Sequence, residues 1–216
     1  MAINTSGIFG ILSLIFLAVW ISQFIRAHLQ PDALNPVIYT VSEAGAHEPT
    51  KRFIATCWLC ESLSGLSMAL GLWFYSNGTA IGSTSCFGVY CASRILTWYF
   101  PTRIRWRDGT SEEISNHSIQ PTTNASNRLH IVFATLSFAS LSIGTVFTSF
   151  YASTLDNNSP LSANATTLRG IGIACTSAMV ITAISRRMNA IGAGERLFYF
   201  VQLIAIATIS ILLIIS

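Results

Sequence analysis

The chain has 216 residues, of which 51% are hydrophobic and only 10% charged, against about 25% charged in a soluble domain. So little charge cannot build a water-facing surface, so lipid must be the solvent for much of the chain, and the length leaves room for one membrane domain (1–216) and no sizeable soluble one. The net charge of +3 comes without a long basic run, which gives no sign of a nucleic-acid partner.

A spanning helix needs about 20 mostly apolar residues. The first candidate covers about 8–25 and is read as a retained anchor, because no basic residue precedes it and no small-residue cleavage site follows. The second covers about 53–75. The third, about 80–100, is the weakest, being rich in Gly, Ser and Thr near its start. The fourth covers about 129–152, the fifth about 168–185 and the sixth about 196–215. Backbone groups cannot go unpaired in lipid, so each span is expected to be helical, giving an all-α integral membrane six-helix bundle. The links differ in kind. Asn77-Gly78 makes a tight turn and a hairpin of spans two and three. Residues 26–52 and 101–128 are long and polar, 153–167 polar but almost uncharged, and 186–195 a short basic turn with Gly192 and Gly194.

Loop charge sets the expected orientation. Arg26, Lys51, Arg52, Arg103, Arg105, Arg107, Arg128, Arg186, Arg187 and Arg196 fall on one side of a six-helix layout, and only Arg169 on the other. The basic side is expected in the cytoplasm, with both termini non-cytoplasmic, in a bacterial inner membrane. Trp73, Tyr75, Trp98, Tyr99 and Tyr199 stand where interfacial aromatics are expected.

Glu61 lies roughly 13 Å into the second span and Arg94 roughly 9 Å into the third, counted from the same side at 1.5 Å per residue. An isolated charge in the bilayer costs several kcal/mol, so the two are expected to form an intramembrane ion pair. Such a pair serves either as a relay or headgroup site, or as a lock on the hairpin. Cys57, Glu61, Gly65 and Ala69 share one stripe of the second span. Similar stripes run through Ser137, Ser140, Gly144 and Thr148, and through Gly170, Ala174 and Ser177. Small residues at these spacings are expected to be packing seams. Cys57 and Cys60 form a CxxC, which in a helix requires no bond, and the five cysteines resemble no disulfide framework. None of His28, His47, His117 and His130 sits at mid-membrane, which argues against a haem held within the bundle. Lys51, the only lysine, lies at a membrane edge and excludes a buried retinal Schiff base. His47, Glu48 and His130 carry no metal-site spacing. No cofactor or metal is expected.

Four short motifs, read together, resemble a known family. They are Tyr39-Thr40-Val41-Ser42-Glu43-Ala44-Gly45-Ala46 after Asn35-Pro36, Phe100-Pro101-Thr102 closing the third span, Leu129-His130 opening the fourth, and Gly194-Glu195-Arg196-Leu197 opening the sixth. This order is similar to the prokaryotic membrane protein family of unknown function numbered 998, distantly grouped with FRAG/DRAM/Sfk-like six-helix proteins. Ala44 departs from the family's usual Leu, and Arg103 from its frequent Asp. With the charge-derived topology, the resemblance implies that Ser42, Glu43, Thr102, Arg103, His130, Glu195 and Arg196 meet at one membrane face. Eukaryotic relatives linked to lipid organisation point to lipid. The expected function is therefore binding of a lipid or small amphiphile at that polar cluster, by Ser42, Glu43, His130, Glu195 and Arg196, with Arg for phosphate and Glu and Ser for amine or hydroxyl. The alternatives are a lipid hydrolase or acyltransferase with His130 as general base and Ser42 or water as nucleophile, and an accessory subunit of a larger membrane complex. The motifs could also serve only to fix loops to helix ends, Glu195 and Arg196 acting as a cap.

Overall fold

A computed structural model describes residues 4–100, 102, 124–188 and 190–216. The protein is an all-α integral membrane bundle. Helix α1 is Thr5–His28, α2 Val41–Ala46, α3 Glu48–Tyr75, α4 Ile81–Tyr99, α5 Asn124–Ala152, α6 Pro160–Ala163, α7 Ala165–Ser185 and α8 Ile191–Ile215. Six of these have 19 residues or more, and α2 and α6 are single turns or little longer.

Among the described residues, five helices are long and apolar enough to cross a membrane: α1, α3, α5, α7 and α8. The expectation of six apolar crossings is corrected at α4, which is not among them. The reason is its inward face, where Ser83, Ser93, Arg94 and Thr97 are all buried against protein. A helix flanked by neighbours can hold such residues, because its polar groups meet protein and not lipid.

The six long helices pack in chain order as a ring. α1 lies against α3, α3 against α4, α4 against α5, α5 against α7, α7 against α8, and α8 returns to α1, with a direct α3–α8 contact inside the ring. Short links favour such antiparallel neighbours. One such link is the turn after α3, where Asn77 (φ 48°) and Gly78 (φ 80°) take left-handed backbone, the conformation Asn and Gly tolerate best. At the other end of α3, Pro49 sits in the first helical turn, where its missing N–H costs nothing.

Close approach explains several small residues. Ser13, Ser64 and Ser210, from α1, α3 and α8, are buried and linked through Ser13 Oγ, at 2.7 Å to Ser64 Oγ and 2.8 Å to Ser210 Oγ. The stripe through Cys57, Glu61, Gly65 and Ala69 is buried, as is that through Ser137, Ser140, Gly144 and Thr148. Most of these hydroxyls turn back on their own helix: Ser140 donates to Leu136 O and Thr148 to Gly144 O. They therefore line no polar path. The α7 stripe needs correcting: Gly170, Ala174 and Ser177 face outward, and the buried face of α7 is Leu168, Gly172, Cys175 and Ala178. Gly172 sets this rotation, since a Cβ there would lie 2.6 Å from Val146 Cγ2 on α5.

Gly192 and Gly194 are not in a turn; they lie in the first turns of α8. A Cβ on Gly192 would strike the Tyr39 carbonyl and lie 2.6 Å from that of Pro36. The Gly192→Val variant is expected to cost about 1–3 kcal/mol through this overpacking, read as a lower thermal midpoint in detergent. An unchanged midpoint would mean that the 35–40 segment does not seat on α8.

Candidate functional site

All the polar motifs come to one end of the bundle, where α1 and α4 finish and α3, α5 and α8 begin. At its centre the chain folds back as α2. Thr40 caps this short helix: its Oγ1 accepts from Glu43 N at 3.0 Å, and the Glu43 carboxylate accepts from Thr40 N at 2.9 Å. The Ser42-Glu43 motif is therefore first a capping box. Glu195, reaching across from α8, accepts the Val41 N–H at 2.6 Å. It satisfies an amide in the first turn of α2, not one of its own helix.

Arg196 serves the same segment. Its Nη1 donates to the carbonyls of Pro36 (2.7 Å), Tyr39 (2.8 Å) and Gly192 (3.0 Å), and its Nε donates to His28 Nε2 at 2.9 Å. His28 Nδ1 in turn bonds to Phe24 O at 2.8 Å, so the neutral ring donates from Nδ1 and accepts at Nε2. The guanidinium is thus committed to the fold. It joins the ends of α1 and α8 to the loop before α2.

Between α2, α5, α7 and α8 lies a cavity of about 330 Å³. Ser42, Glu43, Thr102, His130 and Glu195 all line it, and Arg196 does not. Arg103 lies outside the described residues. Apolar wall comes from Ile131, Phe138, Met179 and Ile191. The rim toward the outer surface carries Ile131, Thr135, Ala183 and Arg186, all exposed.

His130 is buried at 2% exposure. Its Nδ1 donates to the Phe100 carbonyl at 2.6 Å, which makes Nε2 the acceptor of the neutral ring, and that atom has no hydrogen-bond partner. Thr102 on the same wall donates to Asn127 Oδ1 at 2.8 Å. Among the described residues, no hydrogen bond joins Ser42 to His130, so the two share a cavity without forming a nucleophile–base pair.

A second cavity, of about 280 Å³, lies next to the first and shares Ser42 and Thr102 with it. Lys51, Trp58, Trp98 and Tyr99 line it. The Trp58 and His130 rings meet edge-on, with centroids 5.9 Å apart.

Deeper in the bundle, Arg94 and Glu61 are in contact as an ion pair, at 1% and 3% exposure. Sequence reading missed the rest of their network. Arg94 Nη2 also donates to Tyr199 Oη at 2.7 Å, and Gln202 Nε2 donates to Glu61 Oε1 (2.8 Å) and Tyr90 Oη (2.6 Å). Tyr199 is buried, not interfacial, and the Arg94 guanidinium lies 5.5 Å from the centre of its ring. The missed signal was spacing. Tyr90 and Arg94 are i, i+4 on α4, and Tyr199 and Gln202 are i, i+3 on α8, each pair on one face. All five cysteines are free, and Cys57 is turned toward the Trp20 carbonyl, at 3.6 Å, not toward Cys60.

A family model described as a protein of unknown function, DUF998, matches residues 12–212, from within α1 to near the end of α8. The chain belongs to this family. The DUF998 match spans every element of the site, so the cavities, the Arg196 clamp and the Glu61–Arg94 network all lie within the family's domain. No curated protein and no solved structure matches the chain.

Proposed function

We propose that this DUF998 protein binds a lipid or small amphiphile in the cavity at its basic end, and that this end faces the cytoplasm of a bacterial inner membrane. One observation carries the reading. The cavity has Glu43, Glu195 and His130 on its walls and exposed Ile131, Thr135 and Ala183 on its rim, between two spanning helices. A polar recess whose exposed rim carries apolar Ile131 and Ala183 beside Thr135 and Arg186 suits a molecule with a polar head and an apolar tail, entering from the bilayer. Pockets generally pair such an apolar lining with a few convergent polar groups. The orientation rests on loop charge: Arg26, Lys51, Arg52, Arg128, Arg186, Arg187 and Arg196 are all at this end, and Arg169 is at the other.

The test is native mass spectrometry of protein extracted gently from its own membrane. Wild type is expected to retain a bound amphiphile, and Ala134→Trp, which fills the cavity from its α5 wall, is expected to lose it. Arg169→Ala, at the opposite end, should keep it. Equal retention in Ala134→Trp and wild type would remove the cavity from consideration.

A further inference from the structure

The larger cavity has a direction. On α5 its lining runs from Asn127 to Phe138, and on α7 from Arg186 back to Met179. Polar lining gathers at the end of the bundle, with Ser42 and Glu43 on α2, Thr102 after α4, and Asn127 and His130 in the first turns of α5. Glu195, just inside α8, turns its carboxylate to the Val41 N–H. Deeper in, the walls of α5 and α7 are Ala134, Phe138, Met179 and Ala183, and Thr182 returns its hydroxyl to Ala178 O at 2.8 Å. No lining residue lies beyond Phe138 on α5 or beyond Met179 on α7. The narrow end is firmly built. Phe138 packs on Phe198 and Tyr199, with ring centres 4.1 and 5.6 Å away, and the Arg94 guanidinium lies 5.7 Å from the centre of its ring. The Met179 sulfur accepts from Ser142 Oγ at 3.6 Å, one turn of α5 further in. A turn beyond that, α5 and α7 close on each other at Val146 and Gly172. The cavity is thus a wedge between two parting helices, with Phe138 and Met179 as its floor.

We infer that the amphiphile stands in this wedge with its head at the basic end and its tail pointing into the bundle, and that Phe138 and Met179 limit the tail to a single chain of medium length. The polarity of the walls sets the orientation. A head placed at the floor would lose its water among Ala134, Phe138 and Met179 with nothing to bond, whereas a tail there loses only contact with water. Volume sets the number of chains. At about 330 Å³ the cavity is at the small end of the roughly 300–1,000 Å³ that ligand sites span, which suits one small amphiphile and not the paired long chains of a membrane phospholipid. Depth sets the length. From Ile131 to Phe138 the α5 wall runs about 10 Å at 1.5 Å per residue, close to the stretched length of an octanoyl chain. The inference rests on the amphiphile reading of the same cavity and adds the chain class and the two residues that set it.

The experiment titrates the full-length protein, in a sugar detergent, with monoacylglycerols from hexanoyl to hexadecanoyl, read by native mass spectrometry. A constant head leaves chain length as the variable. Affinity is expected to rise about fourfold per methylene while the chain covers apolar wall, to break near octanoyl or decanoyl, and to gain nothing beyond. Phe138→Ala removes part of the floor, so the break should move to a longer chain. The dodecanoyl ester should then bind roughly tenfold tighter than it does to wild type, about two methylenes' worth. Met179→Ala should move the break the same way by about one methylene. Met179 is half-buried, which keeps the test decisive even where Phe138→Ala does not fold. Dioctanoylglycerol should bind at least tenfold more weakly than monooctanoylglycerol. Affinity that climbs to hexadecanoyl without a break, as it would if the tail left past Ile131 and Ala183, would overturn the inference and leave the amphiphile reading standing. So would a break that neither variant moves, or dioctanoylglycerol binding as tightly as the single-chain ester. Binding of none of the series would sink both.

Discussion

Replacing Glu61 with Met is expected to destabilise the protein by about 3–5 kcal/mol, because it leaves the buried Arg94 guanidinium without its counter-charge. Arg94→Met should cost less. A stranded carboxyl can neutralise itself by taking a proton, whereas a guanidinium cannot lose one. Arg94 would keep only the neutral Tyr199 hydroxyl, whereas Glu61 would keep the Gln202 amide. The double variant, Glu61→Met with Arg94→Met, should be more stable than either single. It removes both charges together and leaves mainly the Tyr199 hydroxyl to find a new partner, a loss of about 1–2 kcal/mol. Gln202 keeps its bond to Tyr90, so that side of the network survives. The measurement is equilibrium unfolding in mixed micelles for wild type, both singles and the double. Strong coupling identifies the pair as a unit that locks α3, α4 and α8. Additive losses would mean that each residue acts through separate contacts, and the lock would have to be abandoned.

The lipid-facing parts of the fold were legible because lipid imposes a simple rule. A run of about 20 apolar residues must be helical, and five runs obey it. What the rule cannot see is a helix shielded by others. Ile81–Tyr99 carries Ser83, Ser93, Arg94 and Thr97 on its buried side, so its composition falls short of a span while its packing does not. Except at α4, helix starts were placed late, as at α3, which begins at Glu48 and not near residue 53. Polar first turns and prolines do not register as apolar run, although they are good helix beginnings. That several motif residues meet at one place was legible, and their roles were not. Ser42, Glu43, Thr102, His130 and Glu195 do line one cavity. The Arg196 clamp was hidden, because its partners are backbone carbonyls of Pro36 and Tyr39, and no residue identity announces a carbonyl. Tyr199 was misread for a related reason. An aromatic near a helix start fits an interfacial belt equally well whether its face turns out or in, and only the contact with Arg94 decides.

Arg196→Ala is expected to cost about 2–3 kcal/mol, in line with loss of charge-assisted hydrogen bonds to several carbonyls. The damage should be local. Released from Arg196, the 35–40 segment no longer presses on Gly192, and α2 loses the register in which Val41 N meets Glu195. Hydrogen exchange is the direct readout: amides of residues 37–46 should exchange at least tenfold faster, while those in the middle of α5 and α7 hold their rates. Arg196→Lys should recover less than half of the protection, because one ammonium cannot span the Nη1 carbonyl set and the His28 ring together. Amphiphile binding should fall as well, through the displacement of Ser42 and Glu43 and not through a lost contact. The lipid-free protein separates these two causes. If Arg196 is a clamp, the 37–46 amides are exposed in the variant whether or not lipid is present. If it instead gripped a head directly, the lipid-free variant and lipid-free wild type would exchange alike, and the clamp would be the wrong account of the residue.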